Sequence, residues 1–175
     1  MKQGIGYTSL KSSLSLSVFV VLASIGNAHV VHAESINDPS ILYKNYAERN
    51  TFVFSPRSKS WKAINSSGKV VRSGRASGGR NYCPDIHRGC RTPTGTYTVL
   101  SKGGANCKSS RFPVGRGGAP MPYCMFFSRY YAVHGSYEVP NYNASHGCIR
   151  VTPSDAHWLT NNFMHVGTRV VVKPY

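Results

Sequence analysis

Six consecutive residues, Ser145-His146-Gly147-Cys148-Ile149-Arg150, carry the most chemistry in this chain. An imidazole stands two positions before a thiol, with a glycine between them. On an extended strand, residues i and i+2 project from the same face. The spacing therefore predicts that His146 and Cys148 stand side by side. An imidazole beside a thiol takes its proton or stabilises the thiolate, and the thiolate is the nucleophile. On this reading Cys148 is the nucleophile, and His146 is the general base and then the acid, because a histidine titrates near the working pH. Gly147 has no side chain, so a substrate carbonyl can approach the backbone there. The N–H groups of Gly147 and Cys148 are candidates for an oxyanion hole. Arg150 offers a guanidinium fork shaped for a substrate carboxylate, the alternative being an ion pair with Asp155 or Glu138.

The remaining cysteines frame this thiol. There are five in all: Cys83, Cys90, Cys107, Cys124 and Cys148. An odd number in an exported chain leaves one thiol over, and Cys148 beside His146 is the one expected to stay free. The other four allow three connectivities. The pairing Cys83–Cys90 with Cys107–Cys124 is favoured, because each closes a short loop around glycine or proline. No pair has the C-x2-C spacing of structural zinc, so no metal site and no cofactor is expected.

Export is read from the start of the chain. Lys2 and Lys11 precede an apolar run from Leu14 to Ile25, and Val31-His32-Ala33 ends on a small residue. This is the pattern of a secretory signal over residues 1–33, cleaved before Glu34. The run is short for a membrane span, and no later segment is apolar enough to make one. The expectation is a chain that does not span the membrane after cleavage and is found in the periplasm, in the cell wall or secreted. Of the 175 residues, 21 are Lys or Arg and only 6 are Asp or Glu, a net charge of +15. Such a field favours anionic partners, but no nucleic-acid recognition motif accompanies it, so nucleic acid is not expected. Oligomeric state is not legible.

The elements that position the thiol are mostly short strands. Residues 34–50 show no apolar periodicity and are read as a lead-in to a domain spanning 51–175. Thr51 to Ser55 alternates around Phe52 and Phe54. Ser60 to Asn65 and Lys69 to Arg75, joined by Ser66-Ser67-Gly68, predict a hairpin. Ser77-Gly78-Gly79 breaks the pattern, residues 80–93 form a Cys-bounded loop, and Gly103 to Pro120 forms a long Gly-rich loop. Further strands are expected over Thr94 to Ser101, Tyr123 to His134, Ile149 to Val151 and Thr168 to Lys173. One helix is predicted. Thr152 caps it, Pro153 opens it, Asp155 follows at the third position, and Ala156, Leu159, Thr160, Phe163 and Met164 recur at helical spacing up to Gly167. His87, His157 and His165 belong to no reactive pattern and are read as surface or helix residues.

Four segments in this order resemble the L,D-transpeptidases with a YkuD-type catalytic domain. They are Thr92-Pro93-Thr94-Gly95-Thr96-Tyr97; Met121-Pro122-Tyr123 leading into Ala132-Val133-His134-Gly135; Ser145 to Arg150; and Asp155 with Gly167-Thr168-Arg169-Val170. The resemblance covers roughly residues 51–172. It implies a mainly β fold, a β-sandwich of mixed sheets with one helix after the cysteine. It also implies acyl transfer on peptidoglycan stem peptides. Cys148 would attack the bond between diaminopimelate and the terminal D-alanine, form a thioester and pass the acyl group to an amine, giving a 3→3 cross-link. The alternatives are a carboxypeptidase that only trims D-alanine, and a non-catalytic basic surface protein. By the same analogy His134 orients the base through its backbone carbonyl, against a purely structural histidine. Ser136 and Ser145 support the site, and Tyr123 and Met121 line the substrate groove, against ordinary packing for Met121. The interval between His134 and Ser145 is shorter than in many members of that family, and the four bridging cysteines are additions to its pattern.

Overall fold

Alternating apolar residues build the first sheet. The computed structural model describes residues 49–175; the expected signal segment, residues 1–33, and most of the expected lead-in, residues 34–48, lie outside the described residues. Strand β1 (Thr51–Ser55) buries Phe52 and Phe54, and β2 (Ser60–Ile64) buries Trp61 and Ala63. Their antiparallel register sets Phe54 opposite Trp61 and Phe52 opposite Ala63. β3 (Val70–Arg75) completes the hairpin as an exposed edge. The last strand, β9 (Arg169–Val172), inserts parallel to β1, with Val170 beside Phe52 and Val172 beside Phe54. β4 (Gly95–Thr98) closes the order β3-β2-β1-β9-β4.

The second sheet carries the site. Its order is β5 (Ser101–Lys102), β6 (Met125–Phe126), β7 (Ala132–Gly135) and β8 (Ile149–Val151). β7 and β8 run parallel and the other pairs antiparallel, so both sheets are mixed. The two sheets pack face to face, Phe52, Phe54, Trp61, Val170 and Val172 from the first meeting Met125, Val133, Ile149 and Val151 from the second. Helix α1 (Pro153–Asn162) follows β8 directly and adds Ala156 and Leu159 to the same core. Trp61, Phe52 and Phe54 are fully buried, and truncating any one of them to alanine costs about 3–5 kcal/mol. Among the described residues this is the expected sandwich of mixed sheets with one α-helix after the cysteine.

Three expectations about boundaries are corrected. Thr94 to Ser101 is not one strand: Val99 donates to Thr168 of the first sheet's side while Leu100 donates to Phe126 of the second, so the chain changes sheets between them. Tyr123 to His134 is a hairpin of β6 and β7. Its reversal is held by Ser128 Oγ, which accepts from the N–H groups of Tyr130 and Tyr131, and by Phe127 N–H on the Tyr131 carbonyl. α1 begins as predicted, with Thr152 Oγ1 accepting from Asp155 N–H at 3.2 Å, but ends at Asn162, short of Gly167. Phe163 and Met164 are buried from the turn beyond it. Among the described residues no helix is long and apolar enough to cross a membrane.

Candidate active site

The parallel pair β7 and β8 brings the thiol and one imidazole to a common face. Val133 lies beside Ile149 and His134 beside Arg150. Val133 and Ile149 belong to the core between the sheets. Strand alternation therefore turns Ala132, His134, Cys148 and Arg150 to the opposite face. There Cys148 packs with a small cluster of Met121, Cys124 and Ala132. Cys148 is the free cysteine; Cys83–Cys90 and Cys107–Cys124 are disulfides, the favoured pairing.

The expected side-by-side placement of His146 and Cys148 is corrected. Extended backbone begins only at Ile149, because Gly147 adopts φ +120° and turns the chain between the two residues. A Cβ at Gly147 would lie 2.3 Å from the Tyr131 ring, so this bend needs glycine twice over. The His146 ring is sent outward. Its Nε2 meets both carboxylate oxygens of Asp85, at 2.9 and 2.8 Å, and its face stacks on Phe112 at 4.3 Å between centroids. Asp85 sits in a short 3-10 helix, Pro84–Ile86, inside the Cys83–Cys90 loop, and its bond to His146 holds its carboxyl below the usual range.

His134 has the opposite setting. It is buried, and its Nδ1 meets the Gly135 carbonyl oxygen at 2.9 Å. That contact makes Nδ1 the protonated nitrogen and leaves Nε2 with its lone pair. Burial lowers the ring's pKa to about 4; the Arg150 charge pushes the same way, and the Gly135 carbonyl opposes. The ring is therefore neutral at pH 7. Burial raises the Cys148 thiol above its ordinary value of 9.0, against the Ala132 backbone amide and the Arg150 charge. Its Sγ rests 3.9 Å from the Tyr130 carbonyl. A neutral base and a neutral thiol on one face can exchange a proton as sulfur attacks, without a standing ion pair.

The other anticipated residues divide. Ser145 Oγ accepts from Gly147 N–H at 3.0 Å and donates to the Cys148 carbonyl at 2.5 Å, so it shapes the turn into the nucleophile. Gly147 N–H is thereby engaged, which leaves the Cys148 amide as the remaining oxyanion donor of the two expected. Arg150 lies 3.5 Å from the exposed Glu138, while Asp155 pairs with Arg72 at 2.8 Å. Ser136 lines the cavity described below, and its Oγ engages both the N–H and the carbonyl of Glu138. Met121 lines it too, but Tyr123 does not: its ring packs edge-on against His157 of α1 at 5.0 Å.

These residues open onto a cavity of about 420 Å³. His134, His146, Cys148 and Arg150 form its floor, and the segments 108–112 and 119–122 form one wall. Tyr137 and Glu138 border it. Behind the thiol, residues 77–80 run along 145–150. Ser77 and Arg150 exchange two backbone hydrogen bonds, and Ser145 pairs with Gly78 and Arg80. Gly79 is required there, since a Cβ would fall 1.9 Å from the Cys90 carbonyl. Sequence reasoning missed Asp85, Phe112 and the wall role of the long glycine-rich loop. The signal for Asp85 was an acid, one of only six, enclosed in a short disulfide loop. Cys83 Sγ, Asp85 and His146 lie within 4.8 Å of one another, but Cys83 is spent in its disulfide, so two donors remain where a metal needs more.

Sheets, free thiol and buried imidazole together define a β-sandwich domain with a cysteine and a histidine at one cavity. The L,D-transpeptidase catalytic domain (YkuD) matches residues 49–172, well over half of the sequence. The chain belongs to that family. Among solved structures it is similar to an L,D-transpeptidase from Xylanimonas cellulosilytica, at 29% identity and TM-score 0.60, over 72% of this chain and 61% of that one. It is also similar to one from Mycobacterium tuberculosis H37Rv, at 26% identity and TM-score 0.59, over 72% and 58%. A third, L,D-transpeptidase 3 from Mycobacterium tuberculosis in complex with a faropenem-derived adduct, is 25% identical with TM-score 0.59, over 72% and 60%. The match thus spans about three fifths of each of those chains. No curated protein matched the sequence.

Proposed function

We propose that this protein is an exported cysteine acyltransferase acting on peptidoglycan tetrapeptide stems. Cys148 Sγ attacks the carbonyl between diaminopimelate and the terminal D-alanine as its proton passes to His134 Nε2. The C–N bond then breaks, His134 returns that proton to the departing D-alanine amine, and a Cys148 thioester remains. An amine of a second stem attacks the thioester, the C–S bond breaks, and the amine's proton returns to sulfur through His134. The product is a 3→3 cross-link. The Cys148 amide receives the developing oxyanion, and Arg150 holds a substrate carboxylate. In this reading His134 takes the base role that the sequence gave to His146, and the Gly135 carbonyl orients it; His146 lines the cavity floor.

One observation carries the proposal. The free thiol and a buried, neutral imidazole anchored on a backbone carbonyl share one face of a parallel strand pair and line one cavity. Membership of the family supports the substrate class and an extracytoplasmic site of action, in the periplasm or beyond. The test incubates the purified protein with tetrapeptide muropeptides and resolves products by mass spectrometry. Loss of D-alanine with formation of dimers is expected, together with a thioester on Cys148 that the Cys148→Ala variant lacks. Tripeptides alone would mean that water is the acceptor. Unchanged substrate with fully reduced Cys148 would refute the reading.

A further inference from the structure

The cavity around the thiol is strongly one-signed. Arg88, Lys108, Arg111, Arg129 and Arg150 line it, with Glu138 the only carboxylate among its lining residues. Glu138 is already placed against Arg150. The three ion pairs among the described residues leave Arg88, Lys108, Arg111 and Arg129 with no carboxylate partner. Two of these cations are held in place. The guanidinium of Arg111 lies 4.6 Å from the centroid of the Tyr130 ring and that of Arg129 lies 5.2 Å from it. The carbonyl of the same Tyr130 is the group that faces Cys148 Sγ. Next to Arg111, Phe112 stacks on His146. The cationic wall is thus tied to the nucleophile through the Tyr130 backbone and to the floor through the Phe112 ring, and the ring contacts of Tyr130 orient the guanidinium groups while leaving their N–H donors open.

We propose that the stack of Arg111, Tyr130 and Arg129 makes this site selective for stems whose carboxylates are free rather than amidated. The inference rests on the acyl-transfer reading and specifies its substrate class. A tetrapeptide stem carries carboxylates on its glutamyl residue, on the second centre of diaminopimelate and at the terminal D-alanine. Amidation of the first two removes two negative charges without changing the scissile bond. Unpaired cations concentrated in a cleft raise the local concentration of an anionic substrate and are weakened by salt.

The test compares kcat/KM for matched stems, free or amidated at the glutamyl and diaminopimelyl carboxyls, using wild type, Arg111→Gln, Arg129→Gln and the double variant. Arg116→Gln, exposed and outside the cavity, serves as the control. A second arm needs no peptidoglycan: the rate of Cys148 alkylation by iodoacetate relative to iodoacetamide, normalised to free cysteine. Wild type is expected to favour the free stem by about tenfold at low salt, and to favour the anionic alkylator relative to free cysteine. The double variant moves both ratios toward one while its circular dichroism is unchanged, and Arg116→Gln moves neither. Equal kcat/KM for the two stems, or an alkylation ratio that ignores the double variant, overturns the proposal. If neither stem is turned over yet the alkylation ratio responds to Arg111 and Arg129, the acyl-transfer reading fails and the anion selectivity of the cavity stands.

Discussion

Alkylation of Cys148 across pH distinguishes a resting thiol from a resting thiolate. Burial raises the Cys148 pKa above 9.0, and His134, neutral down to about pH 4, supplies no positive charge to pull it back. A thiol that titrates at or above that value is at most about one part in a hundred ionised at pH 7. The rate of modification by neutral iodoacetamide is therefore expected to climb about tenfold per pH unit from 7 to 9 with no plateau. Mass spectrometry places the label, since the other four cysteines are bridged. His134→Gln leaves this rate within about twofold, because a neutral ring contributes little to thiolate formation. The same substitution lowers acylation by stem peptide by about 10²–10⁴-fold, the usual worth of a positioned general base. A plateau reached near pH 6, with an acidic limb that disappears in His134→Gln, would refute the reasoning. It would mean that the two groups rest as a thiolate and an imidazolium.

His134 also makes stability depend on pH. Its folded pKa of about 4 lies below the unfolded 6.5, so the folded state gains its full benefit above pH 6.5 and loses it as pH falls toward 4. The loss is about 3 kcal/mol, measurable by urea unfolding at pH 7 and pH 4, and His134→Gln is expected to flatten that slope; parallel losses in both proteins would count against it. Asp85→Asn removes the charge that holds His146, and kcat/KM is expected to fall about tenfold; replacing Cys83 and Cys90 by serine gives a similar loss, and the combination no more than either alone. Additive losses would show that the loop and the carboxylate act separately. Gly147→Ala forces a side chain onto φ +120° against the Tyr131 ring, at a cost of about 1–3 kcal/mol from the backbone alone. Thermal unfolding together with lost Cys148 acylation checks it.

Much of the fold was legible in local pattern. Phe52, Phe54, Trp61 and Ala63 alternate, and β1 and β2 follow that alternation. Thr152, Pro153 and Asp155 spell the start of α1, and the capping hydrogen bond is present. The free thiol at Cys148 was expected from parity and the expected export, and the short-loop pairing of the other four cysteines matches the structure. What was not legible depends on contacts distant in sequence. The register that sets His134 beside Arg150 is a parallel pairing, which no local pattern announces. The period-two argument for His146 failed at Gly147, the residue that was read only as open space for a substrate. Glycine there also breaks the strand, and the freed ring finds Asp85, 61 positions earlier.

The site divides chemistry from recognition along the line between strands and loops. Cys148 and His134 are set by β7, β8 and the turn between Ser145 and Cys148, which are anchored in the core and braced by residues 77–80. The walls come from elsewhere. The Cys83–Cys90 loop supplies Arg88, and its Asp85 holds His146, while the Cys107–Cys124 loop supplies Lys108, Arg111, Phe112 and Met121. Each disulfide therefore closes a segment that faces the same cavity. Short bridges of this kind restrict loops that carry few buried apolar side chains of their own. Reactive groups fixed on strands need no help from the bridges, whereas cations and ring stacks on loops lose their geometry when the loops move. The additions to the family pattern, two disulfides and the basic residues they frame, thus bear on which ligand the cavity admits, and the strand pair beneath them bears on the chemistry done there.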